Sequence, residues 1–238
     1  MSRLLYLTKT KPNRKIIYSY LKNLFVVFFL KKKRKEFINN YRRLIERKKI
    51  TFDFFSQNTY DWYNCLFYLK KKKKFTYLEI GSFEGNSAFF IFKFFSPKIV
   101  YCCDAWLPLP KRDGSDEGYK NFEMRSVEKN FDFNLKTYKK KLRKFKCKSR
   151  VFFKNNNKNF DLIYIDGSHF AKDVAQDCKS AWLVLNKNGV IIFDDYFWKS
   201  YDKIESNPAY AINSFLKEIN GQYKVLLLSK FQLFIKKL

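Results

Sequence analysis

The sequence predicts an α/β protein: a mostly parallel seven-stranded sheet with helices on both faces, closed by a C-terminal antiparallel hairpin. Three observations predict it. From residue 75 onward, short apolar runs alternate with helix-length segments, the order that builds parallel strands joined by crossover helices. Two of those runs, FDLIYID at 160–166 and GVIIFD at 189–194, are nearly unbroken in apolar residues, as strands buried on both faces are. The last two strand-like runs are separated by a short polar connection, which reads as a hairpin. With 238 residues, 46% of them hydrophobic, the chain can bury the core of one such domain plus an appendage, and is too short for two enzyme-sized domains.

Residues 1–51 read as a basic helical extension and residues 52–238 as the α/β domain. Within the extension, residues 16–30 (IIYSYLKNLFVVFFL) form the one apolar stretch with membrane character. It contains Lys22 and falls short of the roughly 20 apolar residues a span requires, so it should not cross a bilayer. A KKKRK run follows it and no small-residue cleavage site does, against a secretory signal. Two readings stay open: an amphipathic helix on a membrane surface or partner, or a helix packed on the domain.

In the domain, residues 75–81 (FTYLEIG) are the first strand and 85–95 its helix; 98–104 is the second strand, ending in Asp104. A polar stretch with Gly and Asp at 107–118 breaks the alternation and is a plausible lid. Residues 135–148 read as a basic helix and 151–153 as a short strand. The strand at 160–166, a helix at 170–185 and the strand at 189–194 follow. Asn207-Pro208 opens a helix at 209–219, with proline where its missing N–H costs nothing. Strands at 223–228 and 231–236, joined by Ser229-Lys230, complete the sheet.

The chain carries 49 Lys+Arg against 22 Asp+Glu, a formal net charge of +27. That charge is local. Residues 1–50 hold 16 basic and 2 acidic side chains, and residues 136–158 hold 11 basic and no acidic ones; the remainder is close to neutral. A basic protein invites a nucleic-acid reading, but Lys outnumbers Arg 39 to 10, and Arg is the residue suited to planar phosphate and base recognition. Abundant Lys, Asn, Phe, Tyr and Ile with 7 Gly is what AT-rich codons produce. The five cysteines show no C-x-x-C spacing, against a disulfide framework or zinc site, and read as core thiols of a reduced, cytoplasmic protein.

In an open α/β sheet, ligands bind outside the carboxyl ends of the strands, and here those ends present acids: Glu79 to Ser87 after the first strand, Asp104 after the second, Asp166-Gly-Ser-His169 after the fourth and Asp194-Asp195-Tyr196 after the fifth. The first turn has Gly81 and Gly85 but not G-x-G-x-x-G, and Phe83 and Glu84 occupy it. A pyrophosphate beside Glu84 would be unfavourable; a ligand with a positive centre would not. A carboxylate placed as Asp104 is can accept from both hydroxyls of a ribose. His169 is the one histidine, so an imidazole base must be this residue; a structural role in its loop is equally open.

YLEIGSFEGNSAFFIF, the strand ending in Asp104-Ala-Trp106, FDLIYIDGSH and GVIIFDDYFW, in that order, resemble class I S-adenosylmethionine-dependent methyltransferases, whose fold is Rossmann-like. More narrowly they are similar to the small-molecule and sugar O-methyltransferases with an IDG-S-H and an Asp-Asp-Tyr strand end, over roughly residues 52–236. The resemblance implies that Glu79, Gly81 and Phe83 line the methionine end of S-adenosylmethionine, that Gly85 and Ser87 open the helix beside it, and that Asp104 holds its ribose. It implies a magnesium ion on Asp166, Asp194 and Asp195, acting on a substrate hydroxyl as a Lewis acid, with His169 and Asp166 in the catalytic centre. Plainer readings stand beside these: Ser87 as a helix cap, Asp104 as a solvated strand-end acid, and the later acids as caps or substrate hydrogen-bond acceptors without a metal. Trp106, Tyr196, Phe197 and Trp198 are pocket walls or packing.

The expected activity is methyl transfer to a hydroxyl of a small molecule or sugar. The alternatives are an RNA methyltransferase using the two basic segments, and a membrane-surface or partner-binding protein on a degenerate methyltransferase scaffold. No transmembrane span is expected, and membrane contact, if any, is peripheral, through the N-terminal helix.

Overall fold

The computed structural model describes residues 2–72, 74–108 and 123–238. Among them, seven strands form one sheet: β1 (Thr76–Ile80), β2 (Ile99–Asp104), β3 (Leu142–Lys146), β4 (Phe160–Ile165), β5 (Leu185–Phe193), β6 (Tyr223–Leu228) and β7 (Leu233–Lys237). Their order across the sheet is β3-β2-β1-β4-β5-β7-β6. The first five are parallel to their neighbours, and β7 runs antiparallel between β5 and β6. The helices are α1 (Arg3–Lys9), α2 (Arg14–Ile45), α3 (Thr59–Cys65), α4 (Asn86–Phe95), α5 (Met124–Leu135), α6 (Ser149–Asn155), α7 (Ala171–Val184) and α8 (Pro208–Glu218).

Alternate strand residues point to opposite faces, and the two faces carry separate cores. Leu78, Ile80, Ile163, Ile165, Ile191 and Phe193 pack with α7 and α8 on one side. Tyr77, Leu162, Tyr164, Val190 and Ile192 pack with α3, α4 and α5 on the other. Helix α4 is apolar around most of its circumference because most of it is covered: Ala88, Phe89, Phe90, Ile91, Phe92 and Phe95 are buried, and Lys93 is exposed.

The N-terminal helices belong to both cores. Tyr6, Leu7, Ile16 and Tyr20 join the first, and Tyr41 and Ile45 the second. The stretch at 16–30 is thus the first half of a 32-residue helix that continues through the KKKRK run. Arg34 fixes its middle to α3 through a two-pronged contact with Asp61, where Nη2 donates to Oδ2 at 2.9 Å. Near its start, Ser19 Oγ accepts the backbone N–H of Leu228 at 2.9 Å, covering part of edge strand β6. No helix among the described residues is long and apolar enough to cross a membrane.

Three expectations are corrected. Residues 135–148 are not a helix: a single 3-10 turn precedes β3, which pairs with β2 and forms the sheet edge. Residues 151–153 lie not in a strand but in α6, where Phe152 enters the core. The hairpin connection spans residues 229–232 rather than two residues, closed by the Ser229 N–H bond to the Gln232 carbonyl at 2.8 Å. Helix α5 stands where no element was expected. Most of the proposed lid at 107–118 lies outside the described residues.

Candidate active site

The carboxyl ends of β1, β2, β4 and β5 open into a cleft of about 880 Å³, within the size range of ligand pockets. Gly81, Ser82, Phe83, Ser87, Asp104, Asp166, His169, Asp194 and Asp195 line it; Glu79 and Gly85 do not. One wall comes from beyond the sheet: Ile50, Phe52, Phe54 and Phe55, in the segment after α2.

At the first end, the turn after β1 is latched to β2. Asp104 Oδ2 accepts the backbone N–H groups of Ser82 at 2.8 Å and Phe83 at 2.9 Å, and Oδ1 accepts that of Trp106 at 2.7 Å. A carboxylate offers about four acceptor positions, so three are taken by the chain and one is left for a ligand. Burial nonetheless outweighs the three donors and raises its pKa above the ordinary carboxylate value.

Gly81 has φ +83°, and a Cβ there would lie 1.9 Å from the backbone oxygen of Asp166. Its bare Cα lets the β1 and β4 turns meet. Gly85, at φ +77°, precedes α4 and faces Phe131 and Leu135 of α5. Glu79 lies fully buried beneath the turn, where its carboxyl accepts from the Ser87 hydroxyl and from Tyr77 at 3.0 Å. Burial pushes its pKa up to about 8. Ser87 is therefore bonded to Glu79 and is not a helix cap.

Glu84 lines the cleft and is also tied to the chain beyond the sheet. It accepts the Thr51 backbone N–H and hydroxyl, each at 2.6 Å, and the Asn130 amide at 2.8 Å. It thus ties the segment after α2 and helix α5 to the turn. Nothing in the local sequence marks Thr51 or Asn130, which come from 33 and 46 residues away.

At the second end, the carboxylates face one another. One ligand atom each from Asp166, His169 and Asp195 lies within 4.8 Å of the others, a group that could hold a metal ion. Asp194 is turned behind them: its Oδ2 accepts from the Tyr164 hydroxyl and from Gln232 Nε2 at 2.9 Å, and its Oδ1 accepts the Asp195 N–H at 2.7 Å. Tyr164 bonds Asp166 as well, at 2.8 Å, and the Trp62 indole fixes Gln232 at 2.7 Å. Burial first, and then the charges of Asp194 and Asp195, drive the Asp166 pKa well above the ordinary value. Burial and Asp195 push Asp194 up to about 7. A cation would relieve both effects.

His169 is buried with Nε2 2.8 Å from Asp195 Oδ2, and its ring centroid lies 4.8 Å from that of Trp198. Of the four aromatic residues considered as walls, Trp198 lines the cleft. Trp106 packs on Phe131, Tyr196 bonds Asn213, and Phe197 packs on Tyr6 and Tyr20.

Comparison with known proteins fits this geometry. A family described as a methyltransferase domain matches residues 78–196, half of the chain, from β1 to just past the β5 acids. Among curated proteins, none matches the sequence. Solved structures share the fold. A Klebsiella pneumoniae protein assigned as an O-methyltransferase aligns with a TM-score of 0.56 at 10% identity, covering 93% of this chain and 98% of its own. MycE methyltransferase of mycinamycin biosynthesis, solved with Mg, SAH and mycinamycin VI, aligns at 0.55 and 14%, covering 86% and 54%. An rRNA methylase from Streptococcus thermophilus aligns at 0.50 and 9%, covering 72% and 92%. At these identities the likeness establishes the fold and leaves the acceptor open.

Proposed function

Since this chain belongs to the methyltransferase domain family, we propose that it transfers a methyl group from S-adenosylmethionine to a hydroxyl oxygen of a small molecule, with sugars the first class to test. The observation that carries the reading is the cleft with its two acidic ends. Its wall holds Glu84, Asp104, Asp166, Asp173, Asp177, Asp194 and Asp195 against Lys148 and Arg150, a balance that suits a cationic ligand better than a pyrophosphate. The sulfonium cofactor, when bound, supplies an activated methyl group. In this chain the turn from Gly81 to Ser87 would bear on its methionine end, and the remaining acceptor position of Asp104 on its ribose.

Magnesium prefers oxygen ligands, and Asp166 and Asp195 offer them on adjacent parallel strand ends, with Asp194 braced behind by Tyr164 and Gln232. A magnesium ion there would supply Lewis-acid chemistry toward an acceptor hydroxyl. That choice leaves His169 as the base. Its imidazole takes the hydroxyl proton, and Asp195 Oδ2, 2.8 Å from Nε2, stabilises the resulting positive charge. Trp198, tilted against the imidazole, and Phe54 form apolar walls that would exclude water from the acceptor.

The test is a methyl-transfer assay with labelled S-adenosylmethionine against a panel of sugars, phenols and RNA, with magnesium or with chelator. Label on a hydroxyl compound, lost in His169→Ala while cofactor affinity is kept, is the expected result. Transfer to RNA alone, or turnover unchanged in His169→Ala, contradicts the reading.

A further inference from the structure

Helix α2 has two apolar faces, and the fold uses one. Ile16, Tyr20 and Asn23 are buried against the body of the protein. On the opposite side, Tyr18, Leu21, Leu24, Phe25, Phe28 and Phe29 recur at helical spacing, and each is at least half exposed, reaching 78% at Phe28. The rings of Phe25, Phe28 and Phe29 touch one another, with centroids 4.7 and 5.4 Å apart, and not the core. Scattered surface leucines are ordinary; a continuous stripe of this kind marks a binding surface. The helix is pinned by its buried face, by Arg34 on Asp61 and by Ser19 on β6, so the stripe is held outward.

Basic residues bracket the stripe. Arg14 and Lys15 precede it, Lys22 sits beside it, and Lys31, Lys32, Lys33 and Lys35 follow it, all exposed. From this juxtaposition we propose that α2 docks on an anionic lipid bilayer, lying in the interface plane with its phenylalanines in the acyl boundary and its lysines at the headgroups. The charges choose among occupants. A second copy would set like charge against like in either orientation, because both ends of the stripe are basic. A nucleic acid would take up the lysines and leave the phenylalanines in water. An anionic bilayer satisfies both.

The experiment is co-sedimentation of the full chain with vesicles of phosphatidylcholine alone and of phosphatidylcholine mixed with phosphatidylserine, at low and high salt. The variants are Phe25→Ser/Phe28→Ser/Phe29→Ser and Lys31→Gln/Lys32→Gln/Lys33→Gln. Circular dichroism melting should match the wild type in both, since every altered side chain is exposed. Wild type should bind the anionic vesicles, the serine variant about tenfold more weakly or worse, and the glutamine variant with a loss that high salt reproduces in the wild type. The proposal is overturned if the serine variant binds as the wild type does, or if wild type ignores anionic vesicles. It is equally overturned if sedimentation velocity shows self-association that the serine substitutions abolish without vesicle binding, or if an RNA oligonucleotide binds where vesicles do not.

Discussion

Asp104 and Asp166 end parallel strands of one sheet and line one cleft, yet their surroundings oppose each other. Asp104 is met by three backbone N–H groups of the chain itself. Asp166 meets the Tyr164 hydroxyl and, beyond it, the charges of Asp194 and Asp195. The first arrangement meets most of a carboxylate's needs from within and uses it to set the shape of a turn. The second leaves carboxylates facing one another, a state that a bound cation resolves. The difference teaches that the two ends of one cleft are built differently: the β1–β2 end is held by protein hydrogen bonds, while the β4–β5 end gathers carboxylates whose mutual repulsion a cation would offset.

Substitutions can break this contrast, the largest effect first. Gly81→Ala puts a methyl 1.9 Å from a backbone oxygen at a positive φ, and backbone cannot move aside cheaply. A loss of more than about 3 kcal/mol is expected from the denaturant midpoint, with both ends of the cleft disrupted together. Glu79→Gln bears on pH. With its folded pKa at about 8 against an ordinary 4.5, Glu79 holds in the folded protein a proton that the unfolded chain releases. Its contribution is therefore full below about pH 4.5 and is lost as pH rises through about 8. Wild-type stability should fall by about 5 kcal/mol at most over that window, and the glutamine variant, which is neutral at every pH and offers one acceptor oxygen and one amide donor to Ser87 and Tyr77, should show a shallower slope in urea titrations.

Asp104→Ala strands three backbone donors and should cost about 2 kcal/mol or more in any buffer. Asp195→Asn should do the opposite in chelator, raising the midpoint by about 1 kcal/mol through relief of repulsion, while abolishing any stabilisation by magnesium. Equal destabilisation by both would erase the contrast.

Much of this was legible in the sequence where local pattern decides. The runs at 76–80, 160–165 and 189–193 are strands because both their faces are covered, and their apolar continuity announces that; β5 begins earlier, at Leu185, through a polar Asn-Lys-Asn stretch that the pattern did not mark. Acids just past those runs had to lie at the ligand-binding edge. Leu142-Arg-Lys-Phe-Lys146 was not legible: it is an edge strand, paired on one side, and its long basic side chains carry a helical propensity that pairing with β2 overrides. The supports of the site were also hidden, since they are set by distant contacts. Gln232 reaches Trp62 across 170 residues and Asp194 across 38. Thr51 meets Glu84 through a chain reversal that no local motif encodes. The second contacts of Gly81 and Glu84 were hidden for the same reason: both line the cleft, and each also meets a distant part of the chain.

The most direct measurement is a pair of calorimetric titrations, S-adenosylmethionine and magnesium, on wild type, Asp104→Ala and Asp195→Asn. A divided cleft predicts that wild type binds both, that Asp104→Ala loses the cofactor and keeps the metal, and that Asp195→Asn loses the metal and keeps the cofactor. Loss of the same ligand in both variants, or no cofactor binding by the folded wild type, would contradict it.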